Sequence, residues 1–340
     1  MEITLIAIDL AKDVFQLHGV DGQGRAVLKK KVRRAQLSAT VVTLAPCVIA
    51  MEACGSAHHW AREFRAMGHE VRLIAPSFVK PFVKSNKNDR NDAQAIAEAA
   101  SRPDMRFVAI KEIWQQEVQS LHRVRSRLIR DRTALVNEIR GLLSEFGVVT
   151  PKGRRQFQCS IAELISTLQA QEKLSTKSIL MFQGLCTELS TLSTRIEDLE
   201  HSIAGVLKEN PAMQRIEQMP GVGVLTATAM VAAVGDAKRF KNGRQFSAWL
   251  GLVPRQSSSG GKDRLLGISK RGDVYLRTLL IHGARAVLQF ADRKTDKRSL
   301  WAMEKIKTRG QHRACVALAN KMARSIWVML AKEKEYQMAV

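Results

Sequence analysis

Apolar and polar positions change their period twice along the chain, marking three regions. From residue 4 the run TLIAIDL is almost wholly apolar, as a central strand covered on both faces requires. VFQLHGV (14–20) and RAVLKKKV (25–32) read as the next strands, with DGQG between them as a hairpin turn. A helix-like stretch over 35–45 leads to a fourth strand, CVIAME (47–52). A helix over 57–67 then precedes a fifth strand, EVRLIA (70–75). Residues 1–111 therefore predict an α/β domain whose sheet has both hairpins and crossovers.

The pattern over 112–209 is heptad. With Val118 at position a, the d positions are Leu121, Leu128, Leu135 and Leu142, and the a positions continue as Arg125, Arg132, Ile139 and Phe146. Leu185, Leu189, Leu192, Ile196, Leu199, Ile203 and Val206 form a second 4-3 series, which predicts a coiled coil, with TPKGRR (150–155) turning the chain. Heptads do not name their partner, so the region is either an oligomerisation arm or an internal spacer. Residues 210–340 read as helices punctuated by glycine. Three antiparallel strands followed by α/β units is the element order of a ribonuclease-H-like fold, so the fold class is α/β plus all-α.

Charge narrows the partners. The 340 residues carry 54 Lys and Arg against 32 Asp and Glu, a formal charge of +22, and 236–313 alone holds 19 basic against six acidic residues. That imbalance calls for a polyanion, nucleic acid before membrane. No apolar run reads as long enough for a membrane span, and the acids within MEITLIAIDLAKD exclude a signal peptide. The five cysteines lack metal-ligand spacing, as reduced thiols in a cytoplasm would.

Acids stand out against this background. In KNDRNDAQAIAEA (87–99), Asp89 and Asp92 lie three apart on one helical face. A helix start explains them, with Asn88 or Asp89 as cap and Asp92 beside the positive end of the dipole. Metal binding explains them too. Asp9 ends the first strand and Glu52 the fourth, and strand ends in an open α/β sheet share a crevice. A helix beginning near Asp89 can bring four carboxylates to that edge, where oxygen-only ligation selects Mg²⁺ or Mn²⁺.

Two further stretches carry candidate chemistry. In IEQMPGVGVLTATAMVAAVG (216–235), the turn with Gly221 and Gly223 resembles a helix–hairpin–helix element offering backbone N–H groups to phosphate, or is an ordinary αα-hairpin. SSSGG (257–261) is by composition a flexible loop; alternatively, it presents a hydroxyl to a phosphodiester while Lys262, Arg264, Lys270 and Arg271 hold phosphates. His58 and His59 read as helix-start residues, and Trp249, Trp301 and Trp327 as core.

AIDLAKD, AMEACGSAHHW and KNDRNDAQAIAEA together resemble the DEDD signature of insertion-sequence transposases related to the Piv DNA invertase. QMPGVGVLTATAM and FSAWLGLVPRQSSSGGKDRLLGISKRGDVYLRTLLIHGAR resemble the second signature of that family. The resemblance implies a RuvC-like domain over 1–111, a coiled coil over 112–209 and a helical transposase domain over 210–340. It implies catalytic and metal-binding roles for Asp9, Glu52, Asp89 and Asp92, and a serine nucleophile directly before glycine, Ser259, with Ser258 the other register. It further implies DNA as substrate, a non-coding bridge RNA as guide, and a homo-oligomer, dimer or tetramer, in which acids and serine of one site come from different subunits. A RuvC-like nuclease using metal-activated water, and a non-catalytic architectural DNA binder, are the alternatives from the residues alone.

Overall fold

The computed structural model describes residues 2–84 and 88–337. The chain forms two compact units, Met1–Ile113 and Trp114–Val340.

In the first unit, β1 (Leu5–Asp9), β2 (Val14–Val20) and β3 (Ala26–Arg33) form an antiparallel meander. β4 (Val48–Glu52) pairs parallel to β1, β5 (Glu70–Ile74) parallel to β4, and the two-residue β6 (Phe107–Val108) closes the far edge antiparallel. The sheet order is β3-β2-β1-β4-β5-β6. Alternation decides its two faces. Ile6, Ile8, Ile49, Met51 and Leu73 pack with side chains from α1 (Leu37–Val42) and α2 (Ala57–Ala66). The opposite face, Leu5, Ala7, Ala50 and Ile74, receives α3 (Pro76–Val79) and α4 (Asp89–Ala100). Ala7 and Ala50 meet the alanines of α4 there, and side chains this small let the helix lie close to the strands. At the free edge, β3 exposes Lys29, Lys30 and Lys31, charges that discourage pairing with another strand.

The second unit is helical apart from one β-ribbon. α5 (Ile113–Glu145) and α7 (Thr176–Glu209) are long helices, joined through α6 (Arg154–Ala170). Arg125 on α5 meets Glu200 on α7, and the Phe146 ring stands 6.1 Å from that of Phe182, so α5 and α7 run antiparallel. The heptad pattern predicts two long helices; α6 is a third. Its Phe157, Ile161, Ile165 and Leu168 join Leu135, Ile139, Ile179 and Leu189 in one cluster. On α7, Leu189, Ile196 and Ile203 are buried within the chain, whereas Leu185, Leu192, Leu199 and Val206 are only half-buried.

α8 (Pro211–Glu217), α9 (Val224–Val234), α10 (Gly243–Trp249), α11 (Val274–Gln289), α12 (Lys297–Arg309) and α13 (Gln311–Ala331) share a second core. The ribbon β7 (Pro254–Gln256) and β8 (Leu265–Ile268) extends between α10 and α11 in the chain. α13 is the one helix among the described residues long and apolar enough to cross a membrane, which corrects the reading of no such run. Arg313, Lys321 and Arg324 interrupt its sequence and hide that length. Packing accounts for its apolarity: Ala314, Leu318, Ala319, Met322 and Ile326 lie in the core shared with α8, α10, α11 and α12.

A buried polar chain ties α5 to this core. The Thr228 hydroxyl on α9 donates to the Val224 carbonyl at 2.7 Å, so its oxygen is left to accept from His122 Nε2–H, 3.0 Å away. His122 Nδ1 then accepts from the Tyr275 hydroxyl at 3.0 Å, and a single neutral tautomer satisfies both ring nitrogens. Burial, and then the nearby Arg125 charge, lower the His122 pKa to about 4. Burial raises that of the Tyr275 hydroxyl. Folding thus favours the neutral imidazole. Between its ordinary 6.5 and about 4, the unfolded chain binds a proton that the folded chain does not, so stability falls as pH drops through this window. We predict a His122-dependent loss of about 3 kcal/mol across it. Denaturant unfolding at pH 7 and pH 4 should show a steeper decline for the native chain than for His122→Gln.

Candidate active site and nucleic-acid interface

The sheet sets the first acids. Ile8 of β1 stands opposite Met51 of β4, so Asp9 and Glu52, one residue further on, leave two adjacent parallel strands side by side. Both are half-buried. Their fields meet at Cys54: burial of its sulfur, then the Glu52 carboxylate, then that of Asp9, push the thiol above its ordinary range. The turn after Glu52 holds Ser56 in the left-handed region, at φ 66°, before α2 begins. A non-glycine residue held there reports local strain of a kind that gathers at functional turns.

The helix-start reading of the second pair is what the backbone displays. Asn88 caps α4, its side-chain oxygen accepting from the Asn91 N–H at 2.9 Å, and Asp89 and Asp92 occupy the first turn. Asp89 is exposed and Asp92 half-buried. Lys87, the first residue of that motif, lies outside the described residues. No three His, Cys, Asp or Glu side chains stand close enough to grip one ion among the described residues. The strand register brings Asp9 and Glu52 side by side, and the convergence of all four acids expected from the sequence is not present among the described residues, since neither Asp89 nor Asp92 joins them in a group of three. As donors, the four supply only carboxylate oxygen, which suits Mg²⁺ or Mn²⁺ and not zinc. His58 and His59 lie in the first turn of α2, and His58 Nδ1 accepts from the Lys111 backbone N–H at 3.2 Å.

The serine run is a hairpin tip and not a structureless loop. β7 and β8 pair antiparallel, and the Ser259 carbonyl accepts from the Lys262 N–H at 3.1 Å around Gly260 and Gly261. Both glycines have positive φ, +55° and +76°, as a two-residue hairpin turn of this hand demands. The tip is wholly exposed. Ser258 is held: its hydroxyl donates to Asp263 Oδ1 at 2.9 Å, and Gln256 Nε2 donates to both the Ser258 oxygen and the Asp263 carboxylate. No protein group bonds the Ser259 hydroxyl among the described residues, so it points to no internal partner. Gln256 and Asp263 went unremarked in the sequence, because only the hairpin register brings residues seven apart together.

Lys262 and Arg264 flank the tip, both exposed. Lys270 and Arg271, also exposed, follow β8 and are fixed from behind. Ser269 N–H donates to the Val253 carbonyl at 2.8 Å and Lys270 N–H to that of Gly251 at 3.1 Å. Asp273 caps α11 directly after them, accepting from the Leu276 N–H.

In the glycine turn between α8 and α9, the two glycines differ. A Cβ on Gly221 would fall 2.9 Å from the Gly283 carbonyl of α11, and one on Gly283 only 1.9 Å from the Gly221 carbonyl. Gly221 is therefore taken up by close packing. Gly223, at the start of α9, is exposed with open space before it, the one of the pair a phosphate can reach. Trp249, Trp301 and Trp327 are half-buried against the second core.

Comparison with known proteins bears on these residues directly. A family model described as "Transposase" matches residues 6–148, spanning all four acids, and one described as "Transposase IS116/IS110/IS902 family" matches residues 213–299, spanning the glycine turn and the serine ribbon. A "Probable family 20 transposase" of Pseudomonas aeruginosa is 51% identical, over 99% of both chains. The "Transposase for insertion sequence element IS1111A" of Coxiella burnetii is also 51% identical, over 99% of this chain and 92% of its own. That for element IS1328 of Yersinia enterocolitica is 39% identical over 96% of each. With two such signatures and identity sustained from end to end, the chain belongs to the IS116/IS110/IS902 family of insertion-sequence transposases, enzymes that transfer DNA strands.

Proposed function

We propose that the chain cuts and rejoins DNA through a covalent phosphoserine at Ser259. The observation that supports this most is the ribbon: an exposed hydroxyl with no internal partner among the described residues, at a two-glycine turn that lets it approach a strand closely, between basic residues. In that reading the Ser259 oxygen loses its proton and bonds to a backbone phosphorus. The ester bond to the leaving deoxyribose oxygen breaks, and that oxygen takes up a proton. Attack by a sugar hydroxyl on the phosphoserine reverses these changes and joins a strand, so no bond energy is lost to water. Lys262, Arg264, Lys270 and Arg271 hold the flanking phosphates, and Gly223 offers its backbone to another in a helix–hairpin–helix role.

The first unit takes the metal-binding role of a ribonuclease-H-like, RuvC-like domain, a reading its strand order supports. Asp9 and Glu52 are the pair that would hold Mg²⁺ or Mn²⁺, and Asp89 and Asp92 from α4 would join them as ligands only in the assembly with DNA bound. Such an ion, when bound, lowers the cost of charge developing at the transferred phosphate. The acids come from one copy of the chain and the serine from another, in a dimer or tetramer. The stripe Leu185, Leu192, Leu199 and Val206, half-covered within the chain, is available to a second helix in coiled-coil fashion. Target choice belongs to a bridge RNA, since the basic residues above position a backbone and do not read bases. The setting is cytoplasmic.

Two tests follow. Trapping on a nicked substrate, with a denaturing gel and peptide mapping, should yield a protein–DNA adduct at Ser259. Ser259→Ala should bind DNA yet form neither adduct nor recombinant. Full cleavage by that variant would hand the chemistry to water, and an adduct at Ser258 would move the nucleophile by one residue. Separately, Asp9→Asn or Glu52→Gln should lower strand transfer by at least about 100-fold, the scale of one lost charge-stabilising contact, while DNA affinity stays near native. Strand transfer at full rate in the presence of chelator would refute the metal role.

A further inference from the structure

A groove of about 1040 Å³ lies in the second unit where α10, the start of β7, the end of β8, α12 and α13 meet. Arg244, Arg313, Lys321 and Arg324 line it together with Trp301 and Trp327, and no carboxylate does. The four basic residues are exposed. Among the described residues, none of the three arginines is ion-paired. Three like charges spread over one groove, Arg244 on α10 and Arg313 and Arg324 about three turns apart on α13, have no internal counter-charge among the described residues, and a polyanion supplies one. Lys321 holds its ammonium 4.7 Å over the Trp301 ring, and Trp327 Nε1–H is anchored to the Ala237 carbonyl at 3.1 Å. The groove thus presents fixed indoles and unpaired cations on one surface, the pairing that single-stranded nucleic acid calls for: cations for the backbone, π-faces and apolar walls for unstacked bases. A duplex keeps its bases stacked inside and would offer the groove phosphates alone, with no base for the indole rims to meet.

We propose that this groove holds an unpaired stretch of DNA, the strand that strand transfer frees from its complement. The proposal rests on the activity that family membership supplies and not on Ser259 or the acids, so it stands or falls apart from them. It also gives the half-buried Trp301 and Trp327 a second role beside packing.

The test uses the full chain and labelled 20-residue oligonucleotides of one sequence: single-stranded DNA, the same DNA as duplex, and the same sequence as RNA. Fluorescence anisotropy reports affinity, and tryptophan emission reports stacking. The double variant Arg313→Glu, Arg324→Glu changes exposed side chains only, and should weaken single-stranded DNA binding at least about tenfold while duplex binding falls less than threefold. Trp301→Leu keeps an apolar group against the core and should weaken single-strand binding about fivefold or more, with loss of the emission quench. Unchanged single-strand affinity in the double variant, or equal losses for strand and duplex, would overturn the proposal. RNA bound tenfold tighter than DNA by the native chain, with that advantage abolished in the double variant, would also overturn it, by giving the groove to RNA.

Discussion

Two strands covered on both faces govern the first unit. β1 and β4 sit in the middle of the sheet, with Ile6, Ile8, Ile49 and Met51 under one helical layer and Ala7 and Ala50 under the other. A charge within either strand would have to be buried, at a cost of several kcal/mol. Carboxylates are tolerated only where the strands run out, and parallel pairing makes both run out at the same edge. Asp9 and Glu52 are neighbours for that reason. The site follows from the core: the apolar run that drives folding also fixes which residues can carry charge, and where.

The second unit reaches its working surface by a different route. Backbone contact between Gly221 and Gly283 brings the α8–α9 turn against α11, and the His122–Tyr275–Thr228 chain fixes α5 to the same helices. With the core closed in this way, most basic residues of 236–313 lie outward, on the ribbon, the segment after it, α12 and the groove, Arg277 being the buried exception that donates to the Leu250 carbonyl. Positive charge of this density would weaken a lone domain through self-repulsion, and a polyanion relieves it. Stability and binding therefore draw on the same imbalance.

Much of this was legible in the chain itself, and what escaped did so for physical reasons. The five main strands show as apolar or alternating runs, and Asp9 and Glu52 show as acids at the ends of two of them. Asn88 with Asp89 and Asp92 reads as a helix start, and is one. β6 escapes because two residues hold no period. The ribbon escapes because its strands are only three and four residues long and exposed, so that even the apolar Leu265 and Leu266 mark no buried face; only the two glycines at its tip hint at a turn. The period of α6 is masked by the two longer heptad series on either side of it. The partnership of His122 with Tyr275 and Thr228 joins residues 153 and 106 positions apart, and no local pattern encodes a contact of that range. The aromatic and basic lining of the groove escaped because each tryptophan, taken alone, is accounted for by the core.

In the function we propose, acids from the first unit of one chain and the serine ribbon of another complete a single site. Mixing two inactive variants tests this most directly. Asp9→Asn with Glu52→Gln keeps the serine and lacks the strand-end acids; Ser259→Ala keeps those acids and lacks the serine. Each alone should be inert in strand transfer. Combined under conditions that allow subunits to exchange, they should restore a fraction of native activity that peaks near equal amounts. Activity that stays absent at every ratio, in mixtures shown to contain mixed assemblies, would contradict the account.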